Sequence, residues 1–182
     1  MATEYLRGQL LVASPAMLDP NFSRTVVLIT EHNEEGALGV VLNRPSETTV
    51  AELVPALAEI EGVDRIYIGG PVRPEAVVVL GEFRDPDAAA WIAVADVGFV
   101  AADADNEELA GKVRRARVYA GFSGWGPGQL EDELEQEAWI VEPPLPAELF
   151  ASDPEHLWSV VLARKGGHYA LVARMPLDPS LN

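Results

Sequence analysis

The sequence contains no cysteine, and this absence removes several chemistries at once. Disulfide bonds, thiolate nucleophiles and zinc-thiolate centres all require that residue. A chain that forms no disulfides suits the cytosol, so we expect a cytoplasmic location. The apolar run Leu10 to Val12 is soon interrupted by Pro15 and is too short for the core of a signal peptide, so we expect no export.

Cations are also scarce, with 13 Lys and Arg residues against 29 Asp and Glu residues and a net charge of −16. A surface with this charge repels phosphate backbones and anionic lipid, so we expect direct nucleic-acid binding to be unfavourable and no membrane partner. The local exception is a basic cluster at Lys112, Arg114, Arg115 and Arg117. We interpret it as the end of a short helix, where cations complement the carbonyl dipole.

Long hydrophobic runs are absent as well. The most apolar region, Ala88 to Ala102, contains Asp96 and falls short of the ~20 apolar residues that a transmembrane helix needs. With 182 residues, 48% of them hydrophobic, the chain suits one globular domain. No internal repeat or linker divides it. We therefore predict a single domain over residues 1–182, with a loose tail from about residue 175.

Short runs of β-branched and apolar residues predict strands at the start of the chain. Gln9 to Ala13 and Thr25 to Thr30 are the first two such runs, and Ala37 to Leu42 is the third. The five residues His32 to Gly36, ending in glycine, lie between the second and third runs. This arrangement predicts a β-hairpin.

Further strands are predicted at Arg65–Ile68, Val77–Gly81, Trp91–Val94, Arg117–Ala120, Trp139–Val141 and His168–Ala173. Helices are predicted near Thr49–Ile60, Asn106–Val113, Gln129–Gln136 and Pro154–Arg164. Pro55 predicts either a kink in the first of them or a restart with proline in its first turn. Strands outnumber helices and many connections are too short for a crossover helix. The pattern favours an α+β fold with antiparallel or mixed sheets and a few flanking helices.

A glycine-rich loop, Ala120 to Glu131, is the most informative stretch. Four glycines in eight residues surround Trp125 and lead into an acidic helix start. Clustered glycines indicate positive φ angles or a close approach of the backbone to another element. We predict that Trp125 is buried against the second glycine corner, Gly69 and Gly70.

Two catalytic motifs are tested against this loop and neither fits. A nucleophile elbow around Ser123 requires glycine two residues later, where this chain has Trp125, so we favour a structural role for Ser123. The spacing of Gly124, Gly126 and Gly128 is wrong for a dinucleotide loop, and the sequence has no P-loop. We expect no nucleotide or other cofactor.

The turn that carries Glu31, His32 and Glu34 has residue types that suit a divalent metal. Adjacent strand residues point to opposite faces, so these side chains do not converge without a sharp bend. We expect no metal, and we favour a histidine that hydrogen-bonds the turn. A proton-transfer pair of His32 with Glu31 or Glu34 is the enzymatic alternative.

Arg24, Asn43 and Arg44 lie at the ends of the predicted hairpin strands. An arginine in this position is usually a solvated rim residue. Two further interpretations stay open for Arg44. It pairs with an internal Asp or Glu, or, with the fixed φ of Pro45 beside it, it presents a planar donor fork to a carboxylate or phosphate ligand.

An ordered series of motifs is similar to the YqgE/AlgH family of bacterial proteins over roughly residues 6–175. The motifs are Asp19-Pro20-Asn21-Phe22-x-Arg24, Glu31-His32-Asn33-x-x-Gly36-Ala37-x-Gly39, Asn43-Arg44-Pro45, Gly69-Gly70-Pro71-Val72 and Gly124-Trp125-Gly126-x-Gly128-Gln129-Leu130-Glu131. The resemblance implies a single α+β domain with coiled, branching β-sheets in a cytosolic bacterial protein. It implies no established biochemical activity.

The family also carries a transcription-regulator label, which this sequence does not support directly. It shows no helix-turn-helix pattern, and its net charge opposes DNA contact. We expect any regulatory role to be indirect. Where the family often has a histidine after the strand that follows Gly-Gly-Pro-Val, this chain has Leu80-Gly81-Glu82, and Ser123 stands where the family often has alanine.

Three functions compete. The first is a module that binds a small molecule or a protein, the second an enzyme with an unrecognised site near Glu31, His32 and Arg44, and the third a structural or interaction protein. The residues leave the oligomeric state open. The candidate ligand-binding residues are Arg24, Glu31, His32, Asn33, Asn43, Arg44, Gly69, Gly70, Trp125 and Gln129. We hypothesise that the Glu31–Asn33 turn, the Asn43–Pro45 corner and the Gly124–Gln129 loop lie close together, because ligand sites are often built on loops held by a rigid scaffold.

Overall fold

A computed structural model describes residues 5–60, 63–101 and 104–176. Within these ranges the strands are β1 (Leu10–Ala13), β2 (Val26–Asn33), β3 (Gly36–Val41), β4 (Pro45–Thr49), β5 (Arg65–Ile68), β6 (Val72–Phe83), β7 (Trp91–Val94), β8 (Val97–Phe99), β9 (Val113–Trp125) and β10 (Trp139–Glu142). The helices are α1 (Val50–Leu53), α2 (Asn106–Lys112), α3 (Gln129–Glu135), α4 (Pro146–Leu149), α5 (Leu157–Lys165) and α6 (His168–Val172). Short 3₁₀ turns occupy Pro55–Leu57, Pro86–Ala88 and Pro154–His156.

All of these strands belong to one branched sheet. Its main path runs in the order β10-β1-β2-β3-β9-β6-β8-β7, and β5, which also pairs with β4, joins it at β9. The strand pairs are antiparallel except for β5 and β9, which run parallel. The predicted α+β class with mixed, mainly antiparallel pairing is confirmed.

Strand β9 is the branch point of the sheet. Its residues 113–122 pair with β6, Val118 to Ala120 also pair with β5, and Ser123 to Trp125 pair with β3. Gly121 has φ +72° at the transition, and a Cβ there would lie 2.6 Å from the carbonyl oxygen of Gly70. Glycine is needed here because the two backbones touch, as the clustered glycines predict.

Strand β1 is buried on both faces, which explains its unbroken apolar sequence. Leu10 and Val12 belong to a cluster that also contains Tyr119 and Trp158. Leu11 and Ala13 belong to a second cluster, which holds Trp125, Leu130 and Trp139. A third cluster lies between α1, α2 and the strands β5, β6 and β9. The sheet therefore separates distinct apolar layers.

Several predicted boundaries change in the structure. The hairpin turn is tighter than the five residues expected, because Asn33 pairs with Gly36 and only two residues separate β2 from β3. The helix predicted after Thr49 ends at Leu53 and restarts as a 3₁₀ turn with Pro55 first, because proline has no N–H for a continuing helix. Strands β4 and β8 are not among the predicted strands.

The segment His168–Ala173 is helical over His168–Val172, so the predicted last strand is wrong. Tyr169, Val172 and Ala173 all pack on the first cluster, and their spacing of three and four residues is helical. Tertiary packing thus overrides the β propensity of tyrosine and valine. The predicted loose tail falls mainly on residues 177–182, which lie outside the described residues.

The basic cluster is also placed differently from the prediction. Lys112 does end α2, but Arg114, Arg115 and Arg117 lie within strand β9 and not at the end of that helix. Arg114 and Arg115 pair with Glu82 on the neighbouring strand. In the part of the chain that the structure describes, no helix combines the length and apolar character needed to cross a membrane.

Candidate functional site

His32 is buried and makes a hydrogen bond through each ring nitrogen. It sits near the end of β2 with 6% of its surface exposed, and its Nδ1 accepts the backbone N–H of Leu6 at 2.9 Å. The ring proton therefore resides on Nε2, which donates to Oε1 of Glu131 at 2.6 Å. Tyr5 contacts the ring edge-on with centroids 5.1 Å apart. His32 thus joins the hairpin to the start of α3.

Neither Glu31 nor Glu34 is the partner of His32, in contrast to the pair considered in the enzymatic alternative. Glu31 is exposed and points away from His32, as alternation along a strand requires. Asn33 accepts the N–H of Glu35 through Oδ1 at 2.8 Å and so shapes the turn. The hairpin end holds a structural histidine, with Glu31 left free to face solvent.

Glu131, in the first turn of α3, accepts the hydrogen bond from His32. Desolvation by burial raises the pKa of Glu131, but hydrogen bonds from its backbone N–H and from His32 outweigh that effect and hold the pKa below its ordinary value. The carboxylate is therefore the form that the folded chain favours. A buried neutral imidazole with both nitrogens engaged has no free lone pair for proton transfer.

Trp125 is buried, but not where we predicted it. Its ring packs with Phe22 and Trp139, with centroid distances of 6.2 and 6.0 Å, in the cluster between the hairpin and α3. The indole N–H donates to Oε2 of Glu133 at 2.7 Å, and the same oxygen accepts the indole N–H of Trp139 at 2.9 Å. Glu133 thus satisfies both indoles.

Polar groups at the start of α3 make hydrogen bonds within the same segment. Gly128 precedes the helix with φ +74°, and Oε1 of Gln129 accepts the N–H of Gly126 at 3.0 Å. Gln129 also contacts Glu133 at 3.4 Å. The glycine loop therefore satisfies its own polar groups, and the acidic first turn discourages an anion at this helix start.

Arg24, Asn43 and Arg44 form a second group that braces the 19–24 loop. The side chain of Asn43 accepts the N–H of Val26 and donates to the carbonyl of Arg24, both at 2.9 Å. Arg44 donates to the carbonyls of Pro20 at 3.0 Å and Ser23 at 2.8 Å. The internal partner expected for Arg44 therefore exists, but it is a pair of backbone carbonyls and not a carboxylate.

Arg24 contacts a different part of the chain from Arg44. Its guanidinium stacks over Trp158 at 4.5 Å and donates to the carbonyls of Met175 and Pro176 at 2.7 and 2.6 Å. The backbone of Arg24 has φ +54°, which a non-glycine residue adopts only where its surroundings require it. Arg24 therefore fixes residues 175–176 to the sheet.

Gly69 and Gly70 are needed for backbone contact. A Cβ at Gly69 would collide with the carbonyl oxygen of Gly121, and one at Gly70 with that of Phe122. The hydroxyl of Ser123, fully buried, donates to the carbonyl of Gly69 at 3.1 Å. This contact joins β9 to the Gly69 corner.

Two of the three predicted elements come together directly. The His32–Glu131 hydrogen bond joins the hairpin turn to the glycine loop and α3, and Ala37 pairs with Trp125. The Asn43–Pro45 corner connects only indirectly, because Arg44 holds the loop whose Phe22 packs on Trp125. Arg44 itself lines a small depression with Gly70 and Pro71.

A larger groove opens beside Glu31. Its cavity volume is about 560 Å³, and it lies where β2 and β3 face β6, β7 and β8. The lining is mostly apolar and comprises Leu38, Val40, Val78, Trp91, Phe99, Val100 and Phe122, with Arg7, Thr30 and Glu31 as its polar members. A concave apolar surface with a few polar groups is the usual form of a small-molecule site.

The polar members of the groove are distinct in chemistry. The guanidinium of Arg7 stacks over Trp91 at 4.5 Å, and Thr30 uses its hydroxyl to donate to the carbonyl of Leu38 at 3.1 Å. Glu31 is the one member of this groove that the sequence pointed to. The aromatic residues were not predicted because they come from different strands, and only the pairing of β7, β8, β6 and β9 brings them together.

No metal centre is evident. Within residues 5–60, 63–101 and 104–176, no group of three or more His, Asp or Glu side chains is arranged to hold a metal ion. His156 does pair with Asp153 at 2.7 Å, and this hydrogen bond raises the pKa of the exposed imidazole. That pair lies apart from the groove.

The chain matches the AlgH-like family model over residues 10–170. It is 45% identical to a UPF0301 protein of Streptomyces coelicolor, covering 97% of this chain and 95% of the relative. A UPF0301 protein of Mycobacterium tuberculosis is 41% identical, with 96% and 90% covered.

Two solved structures share the fold. A crystal structure of a Corynebacterium diphtheriae protein has a TM-score of 0.85 and 31% identity, covering 96% of this chain and 95% of that one. The solution structure of the AlgH protein from Pseudomonas aeruginosa has a TM-score of 0.72 and 32% identity, with 98% of each chain covered.

Proposed function

The chain belongs to the YqgE/AlgH family, and from that premise we propose that it is a non-catalytic module that binds a small molecule in the groove beside Glu31. The observation that carries the proposal is the groove itself, about 560 Å³ in volume with three aromatic side chains in its lining. Sites of this size and composition bury most of the surface of a small ligand.

The lining defines the chemistry of the ligand. Trp91, Phe99 and Phe122 offer flat apolar contacts, so the body of the ligand is apolar and includes an unsaturated or aromatic ring. Arg7 and Glu31 supply one charge of each sign at this groove. They would orient polar substituents of the ligand, while the apolar lining supplies most of the binding energy.

Catalysis is the less favoured function. The best acid–base candidate, His32, has both ring nitrogens engaged and a side chain that is 1% exposed. Ser123 is fully buried and donates to a carbonyl. No specific observation in the described residues favours an enzyme over a binding module.

Any regulatory role is indirect under this proposal, acting through a bound metabolite or a protein partner. The net charge of −16 opposes direct contact with DNA. We also propose a cytoplasmic location, because a chain without cysteine cannot form the disulfide bonds that are common in proteins of oxidising compartments.

The groove is tested with N-phenyl-1-naphthylamine, an uncharged aromatic dye that fluoresces in apolar surroundings. We expect saturable binding to the native protein and a loss of affinity of about fivefold or more in Leu38→Gln, since the lining would then include an amide. Leu38 is 38% exposed, so the substitution leaves the core intact. The matched control is Leu53→Gln, because Leu53 is 58% exposed and lies outside the groove.

A metabolite library screened by thermal shift then identifies natural ligands. A ligand present at about 100 times its Kd stabilises the fold by about 2.7 kcal/mol, which a melting curve resolves readily. Hits that act in the groove lose their shift in Leu38→Gln and keep it in Leu53→Gln. If the dye does not saturate and every hit ignores Leu38, the proposal is wrong.

A further inference from the structure

Arg117 is a buried cation without a carboxylate partner. It lies in the middle of β9 with 8% of its surface exposed. Its Nη2 donates to the carbonyl of Ala151 at 3.0 Å, and its guanidinium stacks over the ring of Tyr67 at 4.4 Å. The other two nitrogens, Nε and Nη1, are buried and have no hydrogen-bond partner among the described residues.

Two partly buried arginines of this chain, Arg164 and Arg115, do have carboxylate partners. Arg164 makes hydrogen bonds to both oxygens of Glu148 and to Glu142, each at 2.9 Å. Arg115 pairs with Glu82. Arg117 lies two residues from Arg115 on the same strand, yet no ion pair reaches it from any described residue. The difference therefore does not come from a general shortage of acceptors in a chain with 29 Asp and Glu residues.

A cleft opens at this arginine. Its volume is about 510 Å³, and it lies between β5, β9 and the segment that follows α4. The cationic members of the lining are Arg65, Arg115 and Arg117. Tyr67 and Phe150 provide aromatic walls, over which Arg117 and Arg115 stack at 4.4 and 4.5 Å. None of these residues belongs to the groove beside Glu31.

A second unpartnered polar group lies next to Arg117. The hydroxyl of Tyr119, two residues further along β9 and fully buried, also has no hydrogen-bond partner among the described residues. Burial raises the pKa of Tyr119, the nearby Arg117 opposes that rise and Tyr67 adds to it. Beside the fixed positive charge of Arg117, this region thus holds a buried phenol whose hydroxyl has a donor to offer.

Such an arrangement is costly without a counter-ion. Arginine stays protonated at every physiological pH, so it cannot escape burial by losing its charge. An uncompensated buried charge destabilises a fold, and unmade hydrogen bonds to its N–H groups add to that cost. A ligand that brings negative charge and several acceptor oxygens would remove both costs, and guanidinium matches carboxylate and phosphate groups best.

The carboxylates of the cleft do not fill this role. Asp64 and Glu155 are exposed, and Asp153 is engaged by His156 at 2.7 Å. The cleft therefore has a cationic buried end and a mixed, exposed outer part. A ligand with one oxyanion group and a larger polar body suits both parts, since a bare oxyanion would leave much of the volume to solvent.

We propose that the cleft between β5, β9 and the 150–155 segment binds the oxyanion group of a small organic ligand, with Arg117 as its principal partner and Arg65 at its entrance. The site is separate from the apolar groove and gives the protein a second ligand. The buried guanidinium of Arg117 then has a function, which is to recognise the ligand.

Isothermal titration calorimetry with inorganic phosphate and with succinate tests this site in a chloride buffer of constant ionic strength. We expect saturable binding of at least one probe, and the stronger of the two identifies the natural group as phosphate or carboxylate. In Arg117→Met the affinity falls by at least about tenfold, because the charge and its donor fork are lost. Arg117→Lys recovers only part of it, because lysine lacks the planar fork.

The matched control is Arg84→Met, which removes an exposed arginine that does not line the cleft. Its affinity for the probe stays at the wild-type value. Arg65→Gln guards against loss of folding in the Arg117 variants, because Arg65 is exposed and its replacement alters only the entrance, weakening binding severalfold. Absence of saturation with both probes, or equal affinity in Arg65→Gln, Arg117→Met and wild type, overturns the proposal.

Discussion

Nε2 of His32 lies 2.6 Å from Oε1 of Glu131, a residue 99 positions further along the chain. Because Nδ1 of the same ring accepts a backbone N–H, His32 is fixed in one tautomer and one orientation. The contact ties the β2–β3 hairpin to the first turn of α3. Two motifs that look functional in the sequence therefore hold each other in place.

The His32–Glu131 contact predicts a pH dependence of stability. The folded-state pKa of Glu131 is lowered, so the stability it contributes is fully present above the unfolded-state pKa of about 4.3. That stability is lost as the pH falls through the lower folded-state pKa. Urea titrations between about pH 6 and pH 3 should show a steeper loss for the wild type than for Glu131→Gln.

The exposed acid Glu35 provides the control, since Glu35→Gln replaces a carboxylate that makes no hydrogen bond or ion pair to a described residue. A Glu131→Gln variant with the same acid dependence as the wild type would contradict the assignment. In that case the hydrogen bond from His32 would not stabilise the carboxylate form of Glu131 over its protonated form.

Trp125→Ala should destabilise the fold by about 3–5 kcal/mol, as for other buried aromatic side chains. The ring is 6% exposed and packs with Phe22 and Trp139, while its N–H satisfies Glu133. Urea unfolding measures the loss. Trp125→Phe isolates the hydrogen bond, since it keeps most of the ring contact, and a loss below about 1 kcal/mol in Trp125→Ala would indicate a ring free to contact a partner.

Gly70→Ala should be severely destabilising, because a Cβ there would collide with the carbonyl of Phe122 and the φ of +153° disfavours any side chain. Gly111→Ala is the matched control. It lies in α2 with nothing within 4 Å of the added methyl, so it should stabilise the protein by up to about 1 kcal/mol. Thermal melts of the two variants should shift in opposite directions, and shifts of the same sign would refute the close contact.

Duplex DNA should bind with no sequence preference and only weakly at physiological salt. The chain carries a net charge of −16, and two arginines of its basic cluster, Arg114 and Arg115, form ion pairs with Glu82 and Asp96. Fluorescence anisotropy with defined duplexes at several salt concentrations measures this. A salt-sensitive complex with one sequence and a Kd tighter than about 10⁻⁶ M would contradict the expectation.

Local patterns predicted the hairpin, the helix near Asn106–Val113 and the glycine loop, because each depends on residues close in the chain. Asp105 accepts two backbone N–H groups at the start of α2, as a capping aspartate should. The local sequence predicts a strand where the last helix lies, because Tyr169 and Val172 favour sheets. Only their contact with the core favours a helix.

The sites depend on contacts between distant strands, which one sequence does not encode in any local pattern. The sequence predicts Arg117 near a helix end, because the basic residues follow closely on Lys112, which does end a helix. The signal for this site in the sequence is a cluster of basic residues in a chain of strongly negative net charge. Period-two spacing of Arg115, Arg117 and Tyr119 would have placed them on one face of a strand.

Strand β9 has a consequence for the exchange of its amide protons with solvent. Val118 to Ala120 are paired on both edges, and the same strand continues into the hairpin through Ser123 to Trp125. Opening β9 therefore requires the sheet to come apart on several sides, so these amides should exchange only through global unfolding. A chain cut within β9 would leave neither fragment with a complete sheet, whereas a cut at the Glu34–Glu35 turn would spare every strand.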